Sequence, residues 1–396
     1  MKRTLFAALA ASACAGTAYA QSSVTLYGIV DAGFRFNSNA GGHPSRELIG
    51  GNQSANRFGL IGAEDLGGGL KAIFTLENGF NIANGTLGNG GLIFGRQAFV
   101  GLSGNFGTVA LGRQYPTLSQ FLGPFEAASD WGGRGSGFGY HPGGLDDVDG
   151  TQRANNALKF TSVNYAGLRF GGTYSLGGVP GSVTQNEIIS LGLTYNNGPF
   201  AFAAAYLFAK NPNYSLFGGN GNSNTPASTN GLNVTSPVFS GYASAASQRV
   251  LGAGVSYQIE RATVGALFTS TQLNDVGGTR INGAPPARGV AGTSPRFNTG
   301  ELNLKYQYTP SFLMGVSYAY TRSSSYAGQT GASYQQWIIG ADYLLSKRTD
   351  LYIVGLHQKA AGIDSTGKTA VAAMAFAVPS TSNEQSALMF GIRHTF

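Results

Sequence analysis

Residues 23–36 read Ser-Val-Thr-Leu-Tyr-Gly-Ile-Val-Asp-Ala-Gly-Phe-Arg-Phe and alternate between two kinds of side chain. Leu26 and Phe34 fall on one side of this alternation, and Asp31 and Arg35 fall on the other. Only a β-strand sends successive side chains to opposite faces. The stretch therefore predicts a strand with one apolar face and one mixed face, on which Arg35 could pair with Asp31.

The same pattern closes the sequence. Leu388, Phe390 and Ile392 share one parity, and Met389 and Arg393 share the other. Between the two ends we identify about fourteen further strand-like segments of about ten residues, the length that a tilted strand needs to cross the hydrocarbon layer of a bilayer. They begin with 54–64, include 92–102, and end with 350–358.

The connections between these segments alternate in length. Seven are short and rich in turn-forming residues, and eight are long, including 37–53 and the third of them, 115–152. This alternation predicts sixteen strands with both termini on the side of the short turns, which is the topology of outer-membrane barrels. A two-sheet sandwich is the alternative, but sandwiches do not enforce such an alternation.

The composition agrees with a membrane-spanning sheet. Charged residues make up 11% of the chain, against about 25% in soluble domains, and no window of the mature chain is apolar enough for a transmembrane helix. Composition alone leaves a secreted soluble β-protein open. A strand in lipid cannot leave its backbone unpaired, so the sheet must close, and sixteen strands enclose a lumen too wide for side chains to fill. We therefore predict an all-β, 16-stranded antiparallel transmembrane β-barrel around water.

The N-terminus resembles an export signal. Lys2 and Arg3 precede an apolar stretch at 5–13, and Ala18-Tyr19-Ala20 forms a small-x-small cleavage site. We expect residues 1–20 to be a signal peptide and residues 21–396 to form the barrel, exported through the periplasm. Lipoprotein processing at Cys14 is the less favoured alternative. Cys14 is the only cysteine, so the mature chain has no disulfide.

Four fragments carry a resemblance to a known family. They are Val24 to Gly33, Asn56 to Leu60 with Gly62 to Gly67, Gly95 to Leu102 with Gly107 to Gln114, and the terminal Gly391-Ile392-Arg393-His394-Thr395-Phe396. In this order they resemble the strands of the trimeric general-diffusion porins of β-proteobacteria. The resemblance implies a homotrimer in the outer membrane, in contact with its lipids and lipopolysaccharide. It also implies a third loop (115–152) folded into each pore, passage of small ions and hydrophilic solutes, and a terminal Phe396 read by the barrel-assembly machinery. A disordered surface loop is the alternative reading of 115–152.

A pore selects solutes by its width and by the charges of its wall. The basic wall that the resemblance implies falls on arginines beside or opposite the third loop, namely Arg57, Arg96, Arg113 and Arg153. On the loop, Glu126 and Asp130 are the expected acidic partners, and Asp31 and Arg35 are expected to face the lumen. Four arginines against two acids favour a weak preference for anions.

Periodicity supports these arginines unequally. Phe58 takes the lipid face beside Arg57, and we place Phe99 on the face opposite Arg96. Arg113 shares the parity of the apolar Leu111, so a lumenal Arg113 requires a β-bulge or a covered outer face.

Other functions have weaker support. The net charge of +7 is scattered, so a nucleic-acid partner is not expected. No histidine lies in a recognisable nucleophile motif, so we expect no enzymatic activity and no cofactor. Asp146, Asp147 and Asp149 could hold a hard cation, although a solvated turn is the preferred reading and no metal site is predicted. A substrate-specific channel and a structural or adhesive barrel remain as rivals.

Overall fold

The computed structural model describes residues 23–218, 231–281, 283–284 and 289–396. The signal peptide predicted at residues 1–20 lies outside the described residues and stays a prediction. The strands of the described part are β1 (Ser23–Ala40), β2 (His43–Gly50), β3 (Arg57–Gly67), β4 (Leu70–Gly79), β5 (Gln97–Gly104), β6 (Gly107–Gln114), β7 (Ala154–Thr161), β8 (Leu168–Ser175), β9 (Ile188–Asn197), β10 (Phe200–Lys210), β11 (Ala245–Ile259), β12 (Ala262–Val276), β13 (Arg296–Thr309), β14 (Phe312–Ser323), β15 (Ser333–Leu344), β16 (Thr349–Ala361) and β17 (Glu384–Thr395).

The strands form one antiparallel sheet that closes on itself. From β3 onwards each strand pairs with the next, and β17 pairs with β1 from Ile29 opposite Thr395 to Asn37 opposite Ala387. Beyond this register, the backbone N–H of Gly28 donates to Phe396 O at 3.0 Å, and Phe396 N–H donates back to Gly28 O at 3.0 Å. Sixteen of the strands build the wall, which confirms the predicted 16-stranded barrel.

The remaining strand, β2, lies where the sequence predicted a loop at 37–53. It pairs with the outer half of β1, from Ala32 opposite Gly50 to Ala40 opposite His43, whereas β3 pairs with the inner half of β1. The first long connection is therefore largely a β-hairpin that extends the wall outwards, and the prediction of an irregular segment was wrong there. Its sequence, His-Pro-Ser-Arg-Glu-Leu-Ile-Gly, has no apolar alternation from which a strand could be predicted.

Strand ends also differ from the predicted ones. The segment predicted at 92–102 begins as β5 only at Gln97, because a short 3₁₀ helix, Asn89–Gly91, and an irregular stretch precede it. The last strand begins at Glu384, before Leu388. The apolar run Leu92-Ile93-Phe94 imitates a strand ahead of β5, whereas the polar residues Glu384-Gln385-Ser386 hide the start of β17.

The outward face of the barrel is apolar. Leu26 is 59% exposed and Phe34 is 54% exposed, while their strand neighbour Asp31 is fully buried on the inner side. In β17, Leu388 and Phe390 are likewise exposed and Met389 is buried inside. The face assignment read from the alternation is therefore confirmed for the first and last strands.

Helices are short and few in the described ranges. They are α1 (Thr117–Leu122), α2 (Ala127–Asp130) and α3 (Pro212–Ser215), with 3₁₀ turns at Gly123–Phe125, Pro142–Gly144 and Ser240–Tyr242. None of the helices in this part of the chain is long and apolar enough to cross a bilayer.

Candidate functional site: the pore and its constriction

The third loop (115–152) lies inside the barrel. It leaves the wall after β6, carries α1 and α2, and most of its residues are buried. Leu118, Leu122 and Phe125 pack in one apolar cluster with lumen-facing residues of the wall, such as Ala203 and Leu207 of β10. The alternative of a disordered surface loop is therefore wrong, because apolar side chains of α1 and of the turn after it give the loop a face to bury.

Hydrogen bonds fasten this loop to widely separated strands. The Ala127 backbone N–H donates to Glu301 Oε1 of β13 at 2.7 Å, and Gln336 Nε2 of β15 donates to Gly139 O at 2.6 Å. Gln248 Nε2 of β11 donates to Leu145 O at 2.7 Å. Because buried side-chain amides and a carboxylate hold the loop backbone, its position across the lumen is well determined.

One aromatic side chain of the loop rests on bare backbone of the wall. A Cβ atom added at Gly315 would lie 2.6 Å from Cε2 of Trp131, and one added at Gly340 would lie 3.2 Å from its Cε3. Gly315 and Gly340 are opposite each other on β14 and β15. The two glycines thus leave room for the indole, which is 5% exposed.

Two cavities inside the barrel meet beside this loop. The inner cavity, of about 820 Å³, lies towards the short turns, and the outer mouth, of about 370 Å³, lies towards the long loops. The residues that line both are Arg57, Tyr115, Arg134, Asp149 and Gly150. We call this shared set the constriction.

Arg96 lines the outer mouth but is neutralised there. Its Nε donates to Glu77 Oε1 at 2.7 Å and its Nη2 donates to the Tyr115 hydroxyl at 2.6 Å. The predicted orientation of Phe99, which had supported a lumenal Arg96, was wrong. Phe99 lines the inner cavity, and Val100 is 58% exposed outside. Arg96 reaches the mouth because it precedes the first residue of β5 and so escapes the alternation of the strand.

Arg153 also lines the outer mouth, and it is held without a carboxylate contact in the described part of the chain. Its guanidinium lies 3.7 Å from the ring centroid of Tyr115, and its Nη2 donates to the Tyr115 hydroxyl at 2.8 Å. Its Nε donates to Arg96 O at 2.8 Å. The positive charge is therefore fixed in place by an aromatic face and by backbone carbonyls.

Three further cations border the passage without a salt bridge to any described residue. Arg57 and the exposed Arg134 belong to the constriction. Lys159, 9% exposed, lines the inner cavity and donates from Nζ to Tyr115 O at 2.8 Å. Arg134 and Lys159 were missed in the sequence. The parity of Lys159, between the outward Leu158 and Phe160, could have revealed it, whereas Arg134 lies in an irregular loop that offers no such signal.

Arg113 occupies the position that required a bulge. The register between β6 and β7 shifts between Gly112 and Gln114, which is the irregularity that the sequence argument called for. Its Nε donates to Gly95 O at 2.8 Å, and its Nη1 contacts Asn155 Oδ1. Arg113 lines neither cavity, so it lies in the wall rather than at the constriction.

The two expected loop acids occupy different environments. Asp130 is exposed, lines the inner cavity and forms a salt bridge with Lys305 of β13. Glu126 is fully buried and lines neither cavity, so the expectation that it faces the opening is corrected. Its carboxylate turns away from the pore, where it accepts a hydrogen bond from Ser129 Oγ at 2.5 Å.

Asp31 and Arg35 lie on the inner side but do not pair. Asp31 accepts hydrogen bonds from the Tyr352 hydroxyl at 2.5 Å and from two backbone N–H groups. Arg35 pairs with Glu47 at 2.6 Å, its direct cross-strand neighbour on β2. The expected pairing of Arg35 with Asp31 was wrong. The strand β2, which was not predicted from the sequence, places the carboxylate of Glu47 beside Arg35.

The carboxylates of Asp146, Asp147 and Asp149 are buried, so the expected solvated turn was also wrong. Burial raises the pKa of Asp147 to about 7. Burial and the neighbouring Asp147 and Asp146 raise the pKa of Asp149 to about 8. Asp149 at the constriction is therefore mostly neutral at pH 7.

Two histidines lie beside hydroxyl groups. His357 Nδ1 is 2.9 Å from Ser386 Oγ, and His394 Nδ1 is 2.9 Å from Thr349 Oγ1. The described residues add no carboxylate hydrogen-bonded to either imidazole. A serine nucleophile requires a base that a third group orients. Both contacts join residues that are directly opposite each other on β16 and β17.

A closed barrel with an apolar outer band, a charged passage and an inward-folded loop defines a membrane channel of the outer-membrane type. The model of the Gram-negative porin family matches residues 7–360. An outer membrane porin of Bordetella pertussis is 31% identical, over 91% of this chain and 94% of its own length. Outer membrane porin protein 32 of Delftia acidovorans is 39% identical over 51% of this chain and 58% of its own length.

Among solved structures, an anion-selective porin from Comamonas acidovorans superposes with a TM-score of 0.71 at 25% identity, covering 95% of this chain and all of that chain. The chain belongs to the Gram-negative porin family. It is a general porin of the outer membrane, a water-filled channel for small hydrophilic solutes and ions.

Proposed function

We propose that this porin prefers anions, because positive charge at its passage exceeds negative charge. Arg96 is matched by Glu77, and Lys305 by Asp130. The cations left over are Arg57, Arg134, Arg153 and Lys159, which form no salt bridge to a described residue. Against them stands Asp149, whose raised pKa keeps it largely uncharged.

The observation that carries the proposal is the position of Arg57 and Arg134. Both belong to the constriction, where low-dielectric walls concentrate the field of fixed charges on a passing ion. Arginine remains charged at every relevant pH. We therefore propose a basic wall that differs from the one expected from the sequence. Arg57 and Arg134 form its centre, and Arg153 lies beside them. Arg96 is neutralised, and Arg113 lies outside the passage.

Reversal potentials across planar bilayers in a potassium chloride gradient test the proposal. The unaltered protein should be anion-preferring, and Arg57→Gln and Arg134→Gln should each lower the chloride-to-potassium permeability ratio, the double variant most. Arg261→Gln is the matched control, because Arg261 lies in the short turn between β11 and β12 and donates to Tyr308 O. A cation preference, or an unchanged reversal potential in the double variant, would contradict the proposal.

A substrate-specific channel is the rival that the same bilayers distinguish. Conductance that saturates or is blocked by one class of solute would favour it, whereas flux that depends only on solute size favours general diffusion. We propose that catalysis has no part in the function, since the passage brings together no nucleophile with its base among the described residues.

We further propose a homotrimer in contact with outer-membrane lipids and lipopolysaccharide. The support is the family resemblance together with the apolar outer band, which includes Leu26 and Phe34. Unheated electrophoresis after chemical crosslinking tests the trimer, and a monomer only would contradict it. Phe396 is proposed as the signal for the barrel-assembly machinery, and Phe396→Ser should lower the amount of assembled porin in cells without changing its synthesis.

A further inference from the structure

Behind the constriction, a cluster of buried polar groups joins the third loop to the wall. Glu126 and His141 belong to the loop and Glu301 belongs to β13. One ligand-type atom from each of the three lies within 4.8 Å of the other two. His141 and Glu126 are 0% exposed and Glu301 is 2% exposed.

The imidazole of His141 is oriented by a fourth residue. Its Nδ1 lies 2.6 Å from Asp146 Oδ2, and Asp146 also accepts a hydrogen bond from Thr269 Oγ1 at 2.7 Å. When Nδ1 donates to this carboxylate, the neutral ring has its lone pair on Nε2. A carboxylate behind the ring is the usual support of a metal-binding histidine.

The Nε2 atom points towards the two glutamates without a regular hydrogen bond. It lies 3.3 Å from Glu301 Oε2, but it has no hydrogen-bond partner of acceptable geometry within the described ranges. Glu301 is itself held in place, because its Oε1 accepts from Ala127 N at 2.7 Å and from Asn303 Nδ2 at 2.9 Å. Its second oxygen remains directed at the imidazole.

The charges of the cluster need a counter-ion. Glu126, Asp146 and Glu301 surround one imidazole, and in the part of the chain that the structure describes neither lysine nor arginine forms a salt bridge with any of the three. Three carboxyl groups around one imidazole, with no described lysine or arginine paired to them, form a set that a metal cation can balance.

We propose that Glu126, His141 and Glu301 bind one divalent transition-metal ion of the zinc type, with Asp146 orienting the imidazole. One imidazole nitrogen with carboxylate oxygens suits zinc and its neighbours in the first transition row, whereas calcium and magnesium prefer oxygen ligands alone. The 3.3 Å between His141 Nε2 and Glu301 Oε2 suits two neighbouring ligands of one tetrahedral zinc ion, whose bonds are about 2.1 Å long.

Such an ion would tie the constriction loop to the barrel. Two of its ligands lie on the loop and the third lies on β13, so the bound metal closes a link between segments that only hydrogen bonds and packing otherwise hold together. Metal binding should therefore stiffen the loop and steady the ion current.

The test uses the folded, detergent-solubilised protein after chelator treatment and dialysis, titrated with zinc chloride in a calorimeter. We expect one zinc ion per chain. Glu301→Gln and His141→Gln should each weaken binding at least tenfold, and Asp146→Asn by about 10–100-fold. Asp147→Asn is the matched control, because it removes a buried carboxylate of the same loop that is not a ligand, and its affinity should stay within about threefold of the original.

Cobalt supplies a second measurement that does not depend on the variants folding. Bound Co²⁺ should give visible absorption bands typical of mixed nitrogen and oxygen ligation, and Zn²⁺ should displace them. Absence of saturable zinc binding up to about 100 µM, or equal affinity in Glu301→Gln and the unaltered protein, would overturn the proposal. Either result leaves the channel function untouched, since conductance is measured separately on the chelator-treated protein.

Discussion

The guanidinium of Arg153 lies over the ring of Tyr115, 3.7 Å from its centroid. The hydroxyl of the same tyrosine accepts from Arg153 Nη2 and from Arg96 Nη2. One side chain thus positions two cations of the outer mouth, and it stands at the first residue of the loop that narrows the pore.

Tyr115→Phe should loosen both arginines while keeping the ring. The substitution leaves two guanidinium N–H groups without their acceptor, which costs about 1–3 kcal/mol for a buried donor. We expect a lower unfolding temperature and a noisier open-channel current. Tyr165→Phe is the control, since Tyr165 is 51% exposed on the outer surface. Equal thermal stability and equal current noise in the two variants would show that the hydroxyl does not position the arginines.

Glu77→Gln should strengthen anion preference and weaken the fold. Glu77 and Arg96 are paired at 2.7 Å with both side chains nearly buried, and removing one partner of a buried pair costs about 3–5 kcal/mol. The uncovered charge of Arg96 would add to the positive field of the mouth. Denaturation and reversal potentials measure the two effects, and Arg96→Gln in the same chain should reverse both. An unaltered reversal potential in Glu77→Gln would mean that Arg96 does not reach the passing ions.

Gly315→Ala should displace the third loop. The added methyl group would lie 2.6 Å from Trp131, and overpacking of this kind costs about 1–3 kcal/mol. Single-channel conductance should change, because the loop carries Asp130 and Arg134 into the passage. Gly300→Ala is the matched control on the neighbouring strand, since an added Cβ there meets no atom within 4 Å. Conductance identical in all three proteins would show that the indole does not set the loop position.

Anion preference should decline as pH rises through about 8. The pKa of Asp149 is raised to about 8 by burial and by its acidic neighbours, so its carboxyl is neutral below that pH and negative above it. The negative charge would appear at the constriction and offset part of the field of Arg57 and Arg134. Reversal potentials between about pH 6.5 and 9 measure the decline. Asp149→Asn should weaken the decline, and the exposed Asp275→Asn should not.

The fold was predictable from sequence because the bilayer imposes a strict period. Leu26 and Phe34 face lipid and Asp31 does not, and the alternation shows this directly. The alternation is lost where the chain no longer faces the bilayer. β2 lies at the outer end of the barrel and needs no apolar face, and Arg96 sits just before a strand begins, so neither position could be deduced from parity.

The site was less predictable because its contacts join distant parts of the chain. Glu126 is separated from Glu301 by 175 positions, and nothing near it in sequence shows that the loop turns its carboxylate towards the wall. Arg113 is the opposite case. It shares the parity of the apolar Leu111, and this did predict a local register shift. That signal located the irregularity but did not show whether the side chain reaches the pore.

The pairing of β17 with β1 makes the order of synthesis matter for this molecule. The first strand to leave the ribosome acquires its second neighbour only when the last strand arrives, so both exposed edges must be shielded during the whole transit to the membrane. A chain shortened before β17 is therefore not a narrower tube. It is an open sheet with two unpaired edge strands, which expose it to aggregation or to degradation.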